Sequence, residues 1–344
     1  MPDSRLAVVW FRQDLRLDDN PALHAAARSG ASVVPIFIHE DDDAGQWKAG
    51  SASRWWLRKS LTELDASLDN ALRILRGPAG EIIPQIAREL GADAVYWNRC
   101  IEPWRVARDT KIKQELLDAG IEVHSSNGGY LYDPVVIAKP DGTPYRVFTP
   151  FYKRAGKELT PRDPLPRPDD LRLDTTARLT SHDEKPLLPA FPWFEGDEHG
   201  WQPGDRGAGR ALTAFLDAGL AIYAEARDRP DLDGVSRLSP HLHFGEISPH
   251  RVREAVIGRA GDTECAPAGK FLSELAWREF SAHLLYHWPE LPEVNLQKKF
   301  DRFPWADDDE ARRAWQEGAT GYPFVDAGMR QLWRTGYMHN RVRM

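Results

Sequence analysis

The feature that most constrains this chain is an alternation confined to its first third. Five short apolar runs, at residues 6–10, 33–38, 71–75, 94–97 and 121–123, are separated by stretches with helical spacing at 21–28, 53–68, 81–90 and 106–119. Short apolar runs between polar stretches read as buried strands, and apolar residues recurring every three to four positions read as amphipathic helices. A repeated strand–helix–strand unit crosses over right-handed and covers both faces of a parallel sheet, so the pattern predicts a doubly wound α/β domain over residues 1–130. Ligands of such sheets sit beyond the carboxyl ends of the strands. Phe11-Arg12-Gln13-Asp14-Leu15-Arg16 follows the first run and is therefore placed at a ligand edge. It has no G-x-G-x-x-G, which excludes the usual dinucleotide fingerprint. Its charges suit either ligand contact or a network that starts a helix.

The remaining chain reads differently. Over residues 131–200 the periodicity fades and prolines accumulate, at 134, 140, 144, 150, 161, 164, 166, 168, 186, 189 and 192, which predicts a long interdomain connector. From 201 to 344 the spacing is helical, clearest at 207–223, 249–258, 268–286, 308–317 and 325–335, and predicts an all-helical second domain. Two domains also follow from length, since 344 residues exceed what one core accommodates.

Composition narrows the function classes. The net charge of −7 argues against nucleic-acid binding through overall charge, so any DNA contact needs a local basic patch. Thirteen Trp against four Met is a high indole count; such rings fill core, or line a cofactor or stacking surface. Cys100 and Cys265 stand alone, without CxxC spacing, and are expected to be small core residues and not disulfide or zinc ligands. No apolar stretch approaches the roughly 20 residues of a membrane span, and the start lacks a basic then apolar leader pattern. A cytoplasmic location is expected.

Chemistry concentrates in three places. In the 268–286 helix, Glu274, Trp277, Arg278 and Ser281 recur on one face, which can read a base edge, stack a ring and bind phosphate. The same spacing also fits a plain Glu274–Arg278 ion pair beside a core indole. Upstream, Ser236 and Ser239 precede Pro240, a favourable first helical residue, so the segment either caps a helix or receives an anion such as a pyrophosphate. His241 and His243 have no matched carboxylate or cysteine and read as hydrogen-bonded structural residues before metal ligands. At the end, Asn340 and Met344 lie four apart with Arg341 and Arg343 between them, which suits phosphate or carboxylate contact or a basic last turn.

Five segments in order, FRQDLRLDDNPAL, GVSRLSPHLHFGEIS, FLSELAWREF, TGYPFVDAGMRQL and MHNRVRM, together resemble the signature segments of the cryptochrome/DNA photolyase family across essentially the whole chain. The resemblance is most like a class I cyclobutane pyrimidine dimer photolyase. It implies an α/β antenna domain, a helical domain that holds FAD, and light-driven electron transfer from excited reduced FAD to a pyrimidine dimer in UV-damaged DNA. Carried over by position, Tyr223, Val235, Ser236, Arg237, Leu238, Ser239 and Arg343 fall on flavin contacts. Arg227, Arg278 and Arg341 fall on DNA-phosphate ligands, and Glu274, Trp277, Asn340 and Met344 on the pocket for the flipped dimer. Trp305 corresponds to the surface end of a tryptophan chain that reduces the flavin. A monomer is expected, with no metal and no membrane partner.

Three departures accompany the resemblance. Val235 stands where the family usually has threonine. Cys100-Ile101 replaces a common basic-aromatic pair, leaving the antenna chromophore open between methenyltetrahydrofolate and a deazaflavin. The family's catalytic domain continues beyond the HNRVRM motif, so the resemblance implies a chain truncated in its FAD-binding domain. Two rival expectations follow: a fragment without repair activity, or a blue-light receptor of the cryptochrome type.

Overall fold

The computed structural model describes residues 5–40, 44–158, 160–177, 179, 200–261 and 266–343. Its α/β part contains β1 (Leu6–Phe11), α1 (Pro21–Arg28), β2 (Ser32–His39), α2 (Ser51–Ser67), β3 (Arg73–Arg76), α3 (Ala79–Glu89), β4 (Ala94–Asn98), α4 (Pro103–Asp118) and β5 (Glu122–Ser126). The strands run parallel in the order β3-β2-β1-β4-β5. The order reverses between β1 and β4, so their carboxyl ends open the crevice where ligands of doubly wound sheets bind. β1 and β2 are apolar on both faces because both faces are covered: Val9 and Phe11 pack against α1 and α2, and Val8 and Trp10 against α3 and α4. Asn20 caps α1, its Oδ1 accepting from Leu23 N at 3.1 Å, and Pro21 takes the first turn. β3 begins two residues later than the apolar run, because Asp69 and Asn70 both take positive φ and turn the chain ahead of it.

The connector is more structured than its prolines predict. α5 (Phe148–Glu158) places Pro150 in its first turn, where proline is tolerated, and buries Phe151 and Ala155 one turn apart. β6 (Arg172–Leu173) returns to the sheet and pairs Ser32 and Val33 of β2.

The helical part follows as α6 (Asp205–Ala214), a π turn over Phe215–Gly219, a 3-10 turn over Leu220–Ile222, α7 (Tyr223–Ala226), α8 (Ser239–Phe244), α9 (Pro249–Ala260), α10 (Ala266–His287), α11 (Asp309–Glu317), α12 (Pro323–Thr335) and α13 (Asn340–Arg343). The single helix expected over 207–223 is thus widened midway. A Cβ at Gly219 would meet the Phe215 ring at 2.6 Å, so glycine lets the ring lie over the bulge. Phe215, Tyr223, Leu238, Val252 and Phe271 form the core between these helices.

Arg16 ties the two parts. Buried, it donates to Gly245 O at 2.8 Å and to Gly128 O at 2.6 Å. Gly245 has a φ of 68°, and a Cβ there would lie 2.0 Å from Gln13 O, so only glycine permits this approach. A second tie is buried beside it: Glu246 accepts from Trp56 Nε1 at 2.7 Å, from Ser60 and from His241 Nδ1.

Candidate flavin and nucleic-acid site

Val235, Ser236 and Arg237 line one wall of a cavity of about 500 Å³, opposite Gly207, Phe215 and Gly219, with Trp201 and His241 also facing it. That size lies within the roughly 300–1,000 Å³ of small-molecule sites. The wall is built by a turn in which Arg237 takes a φ of 53°, sparsely populated for a residue with a side chain. The turn lets Arg237 pair with Asp233 at 3.1 Å while its guanidinium lies 5.5 Å from the centre of the Tyr337 ring. Ser236 Oγ accepts from Leu238 N at 3.4 Å. Leu238 is buried in the helical core and precedes α8, which begins at Ser239, one residue before Pro240. A hydroxyl, a guanidinium and exposed main chain beside flat rings suit a ligand with a diphosphate and an aromatic system. These residues therefore fit FAD at its phosphate-bearing part.

Beside the cavity, Tyr223 is buried and its hydroxyl is pushed up to about 12 by burial, so it stays a neutral donor. One turn on, Arg227 ion-pairs with Glu274 of α10 and donates to Asp228 at 3.1 Å. Arg341 of α13 reaches Asp228 at 2.7 Å, and Lys270 lies 3.6 Å from Glu274. The hydrogen bond from Arg341 holds the Asp228 carboxyl below its usual range. Cations from the end of α7, from α10 and from α13 thus converge on two carboxylates. α13 reaches this place because Gly328 of α12 lets Val342 approach; a Cβ there would meet Val342 Cγ1 at 2.1 Å.

Trp277, on the same helix as Glu274, is 44% exposed and stacks on Phe148 with ring centres 3.7 Å apart and 9° between planes. Asn340 and Arg343 are exposed on α13, and Met344 lies outside the described residues, as does Cys265. Trp305 is 82% exposed, with Phe303 4.6 Å away.

Arg278 requires a correction. The spacing puts it beside Glu274 as an ion-pair partner or on the DNA side, yet its guanidinium turns toward the α/β part. It donates to Gly129 O at 2.7 Å, pairs with Glu279 at 3.2 Å and covers the Tyr130 ring at 4.7 Å. Its ion-pair partner is thus Glu279 and not Glu274, and its guanidinium lies between the two parts.

The sheet edge holds a second cavity of about 380 Å³, lined by Arg12, Gln13, His39, Trp47, Lys48 and Trp104 among others. The helix-starting network expected of the Arg12 segment is present there. Asp14 and Asn20 join Asn98 in a buried network that starts α1, while Arg12 bridges Asp109 and the Asn98 carbonyl and also faces the cavity. Buried Cys100 is a free thiol pushed up by burial.

Residues 7–169 match the family described as DNA photolyase, and residues 271–344 match the FAD binding domain of DNA photolyase. The chain belongs to the DNA photolyase/cryptochrome family. It is 44% identical to a deoxyribodipyrimidine photo-lyase from Agrobacterium fabrum over 98% of its own length and 71% of that protein. It is 34% identical to Cryptochrome-1 of Arabidopsis thaliana over 98% of its length and 51% of that protein. A crystal structure described as a bacterial class III photolyase from Agrobacterium tumefaciens superposes with a TM-score of 0.91 at 41% identity, covering 100% of this photolyase-family chain and 72% of the other. The α/β and helical architecture is the family's. The finer class I expectation gains no support from a relative described as class III.

Among the described residues, no helix is long and apolar enough to cross a membrane.

Proposed function

We propose that this chain binds FAD and pyrimidine dimers in UV-damaged DNA, and that it serves light-driven repair of cyclobutane dimers. The observation that carries the reading is that Phe215, which lines the Val235–Arg237 cavity, packs on Tyr223 with ring centres 5.5 Å apart, one turn before the Arg227–Glu274 pair. Bound, reduced and excited by light, FAD supplies the electron that opens the cyclobutane ring and receives it back. The chain's own part is placement. Ser236, Arg237 and the Leu238 main chain hold the diphosphate, with Ser239 beside them and Arg343 on the α13 side. Glu274 reads the pyrimidine edge, Trp277 supplies a stacking face, and Asn340 lies at the rim. Arg227 and Arg341 exchange part of their pairing with Glu274 and Asp228 for DNA phosphates. Trp305 offers an exposed indole through which reducing electrons enter. The sheet-edge cavity is the place for a second, light-gathering chromophore, a folate or a deazaflavin, in the 1–130 antenna domain; the 131–200 connector joins it to the helical domain.

The test is repair of a dimer-containing oligonucleotide under blue light. Wild type restores the undamaged strand, and Glu274→Ala lowers the rate roughly tenfold or more, the usual cost of a hydrogen bond to a charged group. The 34% identity to a plant cryptochrome favours one rival, a light receptor. Flavin photochemistry without repair, accompanied by light-dependent binding of a protein, selects it.

A further inference from the structure

Outside the site just described, one surface combines flat rings with a run of basic residues. Residues 142–157 hold Arg146, Lys153, Arg154 and Lys157 and no Asp or Glu, within a chain whose net charge is −7. On α5, Phe148 and Tyr152 stack with ring centres 5.5 Å apart and 11° between planes. Phe148 stacks in turn on Trp277 at 3.7 Å and 9°. The three rings are nearly parallel, a ladder built across two helices. Its middle rung is fixed from the side: Phe280 meets both Phe148 and Trp277 edge-on, at 5.8 Å and 5.9 Å. Phe151, one turn inside, anchors α5 against Phe280 and His283. Both ends of the ladder meet solvent, Trp277 at 44% and Tyr152 at 37% exposure, with Lys153 exposed next to Tyr152.

A core that only needed to close would not leave parallel aromatic faces open at both ends of a stack. Parallel faces at offset-stacking distance are what nucleobases stack on, and each such base–ring contact contributes about 1–3 kcal/mol without reading sequence. A paired base has both faces covered within the duplex, whereas an unpaired one has a face to offer. Lys153, exposed next to Tyr152, suits a phosphodiester backbone.

We propose that Tyr152, backed by Phe148, forms a second nucleobase-stacking site at the other end of the ladder from Trp277, which binds an unpaired nucleotide of a DNA strand and favours single-stranded over duplex DNA. The site deepens the reading of the Glu274–Trp277 region as a DNA surface and rests on it for the orientation of the strand. Phe148 also acts as a positioning residue, holding the Trp277 indole flat from one side.

The experiment is fluorescence anisotropy of labelled, undamaged oligothymidylate and of a dimer-containing strand, titrated with wild type, Tyr152→Ala, Tyr152→Phe and Lys153→Glu. Tyr152→Ala weakens oligothymidylate binding roughly 5- to 150-fold, the factor that about 1–3 kcal/mol of stacking gives, while Tyr152→Phe binds as wild type does. Lys153→Glu lowers the salt dependence of binding, a readout that a purely structural role for α5 would not move. Equal affinity of Tyr152→Ala and wild type overturns the proposal, as does tighter binding to duplex than to single strand. Tyr152-dependent binding of oligothymidylate without any preference for the dimer leaves this site standing and overturns the dimer reading instead. Preference for an RNA oligomer over the matching DNA would overturn the assignment of the strand as DNA.

Discussion

The sheet and the last helices of this chain solve the same problem in opposite ways. β1, β2 and β4 are buried along nearly their whole length, and Trp10, Phe11 and Trp97 on them are almost fully enclosed. α11 buries no residue and α12 buries only Asp326 and Gly328, while Trp305, Tyr322, Phe324 and Trp333 stand in solvent. The first region closes on itself because continuous apolar strands are covered on both faces. The second leaves its aromatic residues exposed on helices that bury few side chains.

The largest expected effect is on local opening. Amides of β1, β2 and β4 should exchange at least about a thousand-fold more slowly than those of α11 and α12, since core strands open near the global unfolding energy and weakly packed helices near zero. Hydrogen exchange read by mass spectrometry checks this, and equal protection would erase the contrast. Next in size, Phe11→Ala should cost about 3–5 kcal/mol in chemical denaturation, against roughly 0.5 kcal/mol or less for Trp333→Ala, whose ring is 75% exposed. A large loss from Trp333→Ala would mean that α12 is packed.

A third effect lies where the two parts meet. Glu279, buried in α10, accepts from Tyr132 N at 3.3 Å, and burial pushes its carboxyl up to about 7, against 4.5 for the free group. The native state then holds a proton that the unfolded chain releases, so this group's contribution is full below about pH 4.5 and is lost as pH rises through 7. Buried His250 and His283, both lowered to about 4 by burial, run the other way and lose stability as pH falls from about 6.5. The readout is therefore the difference between wild type and Glu279→Gln. That difference should shift in favour of the glutamine variant by an amount on the order of 3 kcal/mol between pH 4.5 and pH 8, and a flat difference would remove the titrating group from the junction. Smallest of all, Val235→Thr restores a hydroxyl to the cavity wall and should tighten FAD binding by about 1 kcal/mol, roughly fivefold in a fluorescence titration.

The same contrast explains how far the sequence could be read. Strand runs at 6–10 and 94–97 end within a residue of β1 and β4, because uninterrupted apolar runs in a covered parallel sheet leave little freedom in register. β6 and α5 were invisible for the complementary reason. Two residues have no periodicity of their own, and Arg172 and Leu173 become a strand only by pairing with Ser32 and Val33. α5 is disguised by Pro150 and by aromatic residues whose partners, Trp277 and Phe280, lie over a hundred positions away.

In the candidate site, helical spacing put Glu274 and Trp277 on one helix and Ser236 and Ser239 ahead of Pro240 marked a helix start, while Val235 and Arg237 entered only through the family resemblance. What spacing could not show was direction. Arg278 sits one turn from Glu274, but the Gly129 carbonyl and the Tyr130 ring draw its guanidinium the other way, while Arg227 takes the partner that the i,i+4 rule assigns to it. Nor could spacing reveal that Phe148 backs Trp277. An i,i+4 aromatic pair, Phe148 and Tyr152, beside a cluster of cations without acids was the available signal.

The central claim is that this chain holds flavin in the cavity beside the Arg227–Glu274 cluster. Its most direct test is the visible absorption spectrum of the purified chain after incubation with FAD and gel filtration, compared with Ser236→Ala/Arg237→Ala. The account predicts retained flavin bands in wild type, bleached by blue light with a reductant, and weaker bands in the double variant. Flavin lost from wild type on the column, or retained equally by the variant, would contradict it.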